Sequence, residues 1–316
     1  MIWVLGRGGL LGGAVAREVG KSHDVWAPSK PIIWTDIDAF RSTMGAAIDE
    51  FSGRLTGCGG SWAIYWCAGV GTIGANDVEI NGEFERAEYF LRELGSRLAG
   101  AVTDGTLFYS SSAGGIYGAS TVAPVSEDSE VAVNSSYGSM KLSVENLFAN
   151  WASAMSCRVA IGRISNLYGC GQNFQKQQGL VSAACLSLLK QRPLEIFVPL
   201  DTIRNYLYVE DAARVIVGYT EKVSGMPIAT AELKIVCSPH NLSIAALLYE
   251  IRQVYGRRPP IGLGSRPISS LHNRNLSMNS VRHIEIEPQQ YTLPAVGIAE
   301  IRRSLLVEMM SGSLAS

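Results

Sequence analysis

The sequence predicts an α/β fold: a doubly wound parallel sheet with a smaller C-terminal α/β lobe. Three observations carry that expectation. Short apolar runs rich in Val, Ile and aromatic residues alternate with longer helix-period segments, the pattern of parallel βαβ units. A glycine-rich turn separates the first such run from the first helical segment. After Asn166 the texture changes, with loops richer in Gly, Pro and Gln and helices separated by short strands.

In chain order, strands are expected at Ile2 to Leu5, Asp24 to Ala27, Trp62 to Cys67, Thr106 to Ser110 and Arg158 to Ile164. Helices are expected between them at Leu10 to Val19, Ile37 to Arg54, Asp77 to Leu98 and Tyr137 to Ala152. In the second half, Gly179 to Lys190 and Ile244 to Tyr255 also carry helical periodicity. Residues 1–166 are therefore assigned to one domain and 167–316 mainly to a lobe closing over a cleft, with 206–220 returning to the first domain.

Bulk composition narrows the function classes. A hydrophobic share of 47% against 17% charged residues describes a well-filled core. The 27 basic and 28 acidic side chains nearly cancel and form no long run of either sign, which argues against nucleic acid as a partner. The six cysteines, Cys58, Cys67, Cys157, Cys170, Cys185 and Cys237, form no C-x-x-C pair and no zinc spacing, so no metal site is expected. They read as thiols of a reducing compartment, with Cys170 set apart by its Gly-Cys-Gly loop. Met1 runs straight into a strand-like segment, with no signal peptide and no apolar run of membrane-spanning length, so a cytoplasmic location away from membranes is expected.

The first strand is followed by Gly6-Arg7-Gly8-Gly9-Leu10-Leu11-Gly12, a G-x-x-G-x-x-G turn opening a helix. A chain that bends after a strand, passes a pyrophosphate closely and enters a helix N-terminus needs glycine at such points. This is the turn of a Rossmann-type dinucleotide domain. The second strand leads into Pro28-Ser29-Lys30 rather than an acidic residue. With Arg7 on the same side, Ser29 and Lys30 would welcome a ribose 2′-phosphate, so NADP is expected ahead of NAD.

Tyr137-Gly138-Ser139-Met140-Lys141 sets a phenol and an ammonium four residues apart at the start of a helix, hence on one face. The ammonium stabilises phenolate, so a tyrosine of ordinary pKa about 10 can act as a base nearer neutrality. Upstream, Ser110-Ser111-Ser112 ends a strand, where a hydroxyl could hold the same substrate oxygen.

With this conjunction the chain resembles the extended short-chain dehydrogenase/reductase family of NAD(P)-dependent nucleotide-sugar epimerases, dehydratases and reductases. The resemblance covers nearly the whole length. Thr35-Asp36-Ile37-Asp38 looks like the family's adenine-cradling Asp-hydrophobic pair, here Asp36 and Ile37. Cys67-Ala68-Gly69 looks like its turn along the cofactor, and Asn81 stands where the family usually has an Asn in the next helix. Ser110 to Gly118 looks like its serine-rich strand end closing in Tyr-Gly. Arg163-Ile164-Ser165-Asn166-Leu167-Tyr168-Gly169 resembles R-x-x-N-x-Y-G, whose Asn approaches substrate. Ile203 to Asp211 resembles R-D-Y-x-x-V-x-D, whose Arg meets the nucleotide diphosphate; Asn205 departs from the usual Asp.

The resemblance implies that Tyr137 is the acid/base and that Lys141 binds the nicotinamide ribose and lowers the Tyr137 pKa. Counting back from Tyr137 favours Ser112 as the catalytic serine, with Ser111 second, although anchoring on Tyr117-Gly118 puts Ala113 there. It implies a nucleotide-linked sugar as substrate, with Asn166, Gln172, Asn173, Arg204 and Arg266 as candidate contacts and Gln175 beside them. It also implies a homodimer through the helices near Asp77 to Leu98 and Tyr137 to Ala152. The family's dehydratases carry Thr-Asp-Glu where this chain has Ser112-Ala113-Gly114, so no carboxylate serves water elimination there. A 4-epimerase is expected first and an NADPH-dependent 4-ketoreductase second. A catalytically inactive dinucleotide-binding module is the reading from another class.

Overall fold

The computed structural model describes residues 1–58, 60–69, 76–98, 104–172, 179–264 and 273–311. Six strands form one parallel sheet: β1 (Ile2–Leu5), β2 (Val25–Trp26), β3 (Trp62–Trp66), β4 (Gly105–Ser112), β5 (Arg158–Ile164) and β9 (Thr230–Val236). Their spatial order is β2-β1-β3-β4-β5-β9. The chain order therefore reverses at β1, with β2 on one side and β3 on the other, and a crevice opens at the carboxyl ends of β1 and β3. Register sets Leu5 beside Trp66 and runs the β4–β5 ladder out to Ser112 beside Ile164. That pairing carries β4 two residues beyond the predicted Ser110 and ends it on the candidate serine.

Both faces of the sheet are covered, as its near-continuous apolar strands require. On one face α2 (Ile37–Cys58), α3 (Asp77–Leu98) and α5 (Ser136–Met155) pack over an aromatic core that includes Trp3, Trp62, Trp66, Phe90 and Phe148. On the other, α1 (Leu10–Val19) and α7 (Val209–Ser224) bury Val15, Val19, Ala212, Ile216 and Tyr219 against Val4, Tyr65 and Phe108. The one-turn helix α4 (Ala113–Ile116) follows β4 directly.

Between these elements lies a second set. Strands β6 (Asn166–Tyr168), β8 (Ile203–Tyr208), β10 (Asn241–Ser243) and β12 (Asn275–Leu276) form a small mixed sheet in which β8 pairs with the other three. A two-stranded ladder joins β7 (Leu194–Ile196) to β11 (Ile261–Leu263). Helices α6 (Leu180–Lys190), α8 (Ile244–Tyr255) and α9 (Pro294–Met310) share a separate apolar core that includes Cys185, Leu188, Leu247, Ile251, Ile298 and Ile301. No helix among the described residues is long and apolar enough to cross a membrane.

Candidate functional site

The glycine turn is built by close approach. Gly6 has φ +83°, and a side chain on it would lie 2.8 Å from the backbone of Cys67 and Ala68. A Cβ on Gly12 would fall 2.2 Å from the Gly6 carbonyl oxygen, so α1 presses directly onto the turn. Gly9 donates its N–H to that same oxygen at 2.9 Å and opens α1 with no side-chain cap. The first-turn amides of α1, at Leu10 and Leu11, are among those that a helix start leaves without an intrahelical acceptor, the arrangement that suits an anion. Arg7, Gly8 and Gly9 are exposed beside them. The residues present fit a dinucleotide cofactor at this edge.

At the neighbouring edge lies the loop that follows β2, with the expected phosphate contacts. Ser29 is exposed, and Glu50 of α2 accepts its backbone N–H at 3.0 Å. The Ser29 N–H, then the hydroxyl and Arg54, hold the Glu50 carboxyl below its ordinary range. A carboxylate thus lies against the serine from which a phosphate contact was expected. Lys30 is exposed nearby. Asp36 caps α2, accepting the Ala39 N–H at 2.8 Å, with Ile37 half-buried behind it.

The second group of side chains gathers where β4, α3 and α5 meet. Ser135 caps α5 by accepting the Gly138 N–H at 3.2 Å, which starts the helix one residue before Tyr137. Tyr137, Lys141 and Glu145, each four residues apart, then lie along one ridge of α5. The ridge comes close to α4 because Gly115 and Gly138 lack side chains; a Cβ on Gly138 would sit 2.2 Å from the Gly115 oxygen. The Tyr137 ring covers Gly115, and Ser112 lies near enough to its phenol to pull the phenol pKa down.

Lys141 is 3% exposed and donates to Glu83 Oε1 at 2.6 Å and to the Ser110 carbonyl at 3.3 Å. Its Nζ lies 5.7 Å from the Tyr137 ring centre and 5.3 Å from that of Tyr109. Burial works against its charge, but Tyr109, the Glu83 carboxylate and Tyr137 outweigh it and hold the ammonium protonated well above the usual lysine range. Burial pushes the Tyr137 phenol up; Lys141 pulls it down, Glu83 pushes it up again, and Ser112 pulls it down.

The two candidate serines part company here. Ser112 faces Tyr137 and also caps α4 through the Gly115 N–H at 3.2 Å. Ser111 is buried and donates to Glu145, which is bound in turn by Arg163 at 2.7 and 3.0 Å. Arg163 also donates to the buried Tyr117 hydroxyl at 2.6 Å. This closed network ties β4, α4, α5 and β5 together, and it commits Ser111 to structure, a correction to its place as a candidate. Ala113 is buried and offers no hydroxyl.

Other candidates fall differently. Asn81 is exposed on α3, whereas Glu83, which sequence reasoning missed, turns inward to Lys141. A signal for it existed: Ile80, Glu83, Ala87, Leu91 and Leu94 share one helical stripe, so an acidic residue stood among core positions. Cys67 is half-buried, and burial pushes its thiol up, as it does for Cys170, whose neighbour is Tyr208.

Asn166 and Arg204 line a cavity of about 260 Å³ with Phe197, Val198, Tyr206 and Ile244. Asn166 donates to the Asn205 carbonyl at 2.9 Å. Arg204 forms no ion pair among the described residues; it donates to the Ile203 carbonyl at 2.7 Å, and burial lowers its pKa. Gln172 accepts from Ser182 of α6, outside that lining. Asn173, Gln175 and Arg266 lie outside the described residues. Asn205 is fully buried and donates to the Ser238 carbonyl at 2.7 Å and Asn241 Oδ1 at 3.0 Å, while accepting the Ser238 N–H at 3.1 Å. Both donations require an amide, which accounts for Asn at this position. No group of side chains with metal-binding composition occurs among the described residues.

Comparison with known proteins bears on the whole chain. The model of the NAD dependent epimerase/dehydratase family matches residues 2–229. The dTDP-4-dehydro-6-deoxyglucose reductase of Escherichia coli is 30% identical over 105 residues, 33% of each chain. The UDP-glucose 4-epimerase of Azospirillum brasilense is 34% identical over 116 residues, again 33% of each. The matched segment thus spans about a third of the length of these curated relatives. Among solved structures, the UDP-glucose 4-epimerase of Thermotoga maritima with UDP-glucose superposes with a TM-score of 0.77 at 17% identity, covering 98% of this chain and 99% of that one.

Proposed function

Since this chain belongs to the NAD dependent epimerase/dehydratase family, we propose that it is a nucleotide-sugar 4-epimerase using Ser112, Tyr137 and Lys141. The observation that carries the reading is the buried Tyr137 phenol, flanked by Ser112 and Lys141 at the carboxyl end of β4. A buried phenol next to a permanent ammonium is a group suited to take and return one proton.

When bound, the nicotinamide cofactor supplies a hydride acceptor. Tyr137 takes the proton of a sugar hydroxyl and later returns it. Ser112 holds the same oxygen with its hydroxyl, and Lys141 keeps positive charge against the phenol so that the phenolate is tolerated. Gly6, Gly9, Gly12, Leu10 and Leu11 hold the pyrophosphate, with Cys67, Ala68 and Gly69 forming the opposite wall. Asp36 and Ile37 are assigned to the adenine. Arg204, half-buried without a carboxylate partner among the described residues, receives the substrate diphosphate, and Asn166 lies in the same cavity.

The Glu50 carboxylate against Ser29 supports NAD as the resident cofactor, because it repels a 2′-phosphate. A tightly kept NAD suits an epimerase, which consumes no reductant. The exposed Lys30 and Arg7, and the likeness to the Escherichia coli reductase, favour the second reading, an NADPH-dependent 4-ketoreductase. A homodimer through α3 and α5 belongs to the reading. The outward residues Ser139, Ser143, Asn146 and Asn150 of α5 are small enough for close helix approach, and sedimentation velocity tests it.

Incubation with a panel of nucleotide sugars, with and without NADPH, tests the function. An epimerase interconverts two sugars with no net NADPH consumption; stoichiometric NADPH oxidation by a 4-keto sugar replaces the first reading with the second. No conversion of any sugar under either condition removes both.

A further inference from the structure

Glu83 is an acidic side chain buried in the same polar site as Tyr137 and Lys141, supplied by a different helix. It is 6% exposed, and its Oε1 receives Lys141 Nζ at 2.6 Å. Its carboxylate also lies against Gly69: a Cβ there would be 2.9 Å from Oε1 and 3.1 Å from Oε2. The wall of the proposed cofactor cleft is thus cut back to glycine where Glu83 passes behind it. With Glu83 and the Ser110 carbonyl engaged, two of the three ammonium protons are fixed, leaving one for the phenol or a ligand hydroxyl.

Charge balance gives this arrangement its consequence. Facing Tyr137 are Lys141 from its own helix, Glu83 from α3, and Ser112 and Tyr109 from β4. Glu145, next along α5, is already neutralised by Arg163. Tyr109 is buried with no hydrogen-bond partner for its hydroxyl among the described residues, and burial pushes its phenol up so that it stays protonated. The ionised groups nearest the phenol are therefore one ammonium and one carboxylate.

Resting on the reading of Tyr137 as the acid/base, we propose that Glu83 is a positioning residue of this site: its carboxylate anchors the Lys141 ammonium and offsets that ammonium's charge at the Tyr137 phenol. While Glu83 is ionised, the cluster is neutral with the phenol protonated, and losing that proton leaves a buried net negative charge. Without the Glu83 charge, the protonated cluster is net positive and becomes neutral on losing a proton. With Lys141 still protonated beside it, the phenol then releases its proton at lower pH.

The test uses the full chain labelled with tyrosine carrying ¹³C at Cζ, whose resonance reports phenol ionisation, with the Tyr137 signal assigned by its absence in Tyr137→Phe. Glu83→Gln should lower the Tyr137 midpoint by about one pH unit or more. Glu83→Asp, which keeps the charge, should restore it toward wild type. An unchanged or raised midpoint in a folded Glu83→Gln protein overturns the proposal. Should that variant fail to fold, Glu83→Gln with Lys141→Gln removes both buried charges together. The midpoint then stays within about half a unit of wild type if the two offset, and rises by more than about one unit if Glu83 exerts no field on the phenol. The readout needs no turnover, so it fails independently of the epimerase reading, which stands or falls on activity.

Discussion

Glu50 accepts the Ser29 backbone N–H at 3.0 Å, so a helix carboxylate occupies the polar face of the loop that follows β2. In the proposed reading this carboxylate takes the part of an acidic residue at the end of that strand, from a different element. NAD should therefore bind more tightly than NADP in titration calorimetry. Glu50→Ala should narrow or reverse that preference by about three- to tenfold, since an exposed charge acts weakly through solvent. NADP binding more tightly in the wild type, or no change in the variant, would return the choice to Lys30 and Arg7.

The two serines should separate by assay. Ser112→Ala removes the hydroxyl beside Tyr137 and should cost about a hundredfold in turnover, as for loss of one oxyanion donor. Its stability should fall by only about 1 kcal/mol, the cap of α4. Ser111→Ala takes a donor from the buried Glu145 and should show the reverse, about 1–3 kcal/mol in denaturant unfolding with turnover largely kept. The same ordering of effects at both serines would remove the assignment.

The glycine turn makes a similar contrast. Gly12→Ala places a Cβ 2.2 Å from the Gly6 oxygen and should unfold or disorder the start of α1. Gly9 has extended backbone, φ −91°, and a Cβ there meets only the Gly6 oxygen at 3.4 Å. Gly9→Val should leave the melting temperature within a few degrees, about 1 kcal/mol, yet weaken NAD binding at least about tenfold. Retained NAD affinity in that variant would mean that the turn does not carry the pyrophosphate.

Asn205→Asp tests the small mixed sheet. The amide donates to a carbonyl and to a second amide oxygen, both buried; a carboxylate would face those oxygens and lose both bonds. A loss of about 1–3 kcal/mol, or more if the acid stays ionised, should appear in urea unfolding at neutral pH. Acidifying the buffer should recover part of it, because the protonated carboxyl regains one donor. Equal stability at neutral pH would contradict the bonding described.

What was legible in the sequence follows physical range. Periodicity reported β1, β5, α1, α3 and α8 with their observed bounds, because each is a complete strand or helix signal in itself. The i, i+4 spacing of Tyr137 and Lys141 was equally local. Partners brought by distant segments were not legible: Glu50 to Ser29, Glu145 to Arg163, and above all Glu83 to Lys141, 58 residues apart. Asn81 and Glu83 lie about 200° apart on a helix, so the two side chains stand on opposite faces of α3. The apolar stripe of α3 carried that information, but an acidic residue on it reads as solvated until its counter-ion is known.

Tyr137→Phe is the most direct measurement. It removes one oxygen from a side chain whose ring packs over Gly115, so folding and NAD affinity by calorimetry should match wild type. Turnover of the nucleotide sugar converted by the wild type should fall by about a hundredfold or more, the usual worth of an acid/base group. Wild-type turnover by the folded Phe variant would contradict the assignment of Tyr137, and with it the proposed chemistry of the site.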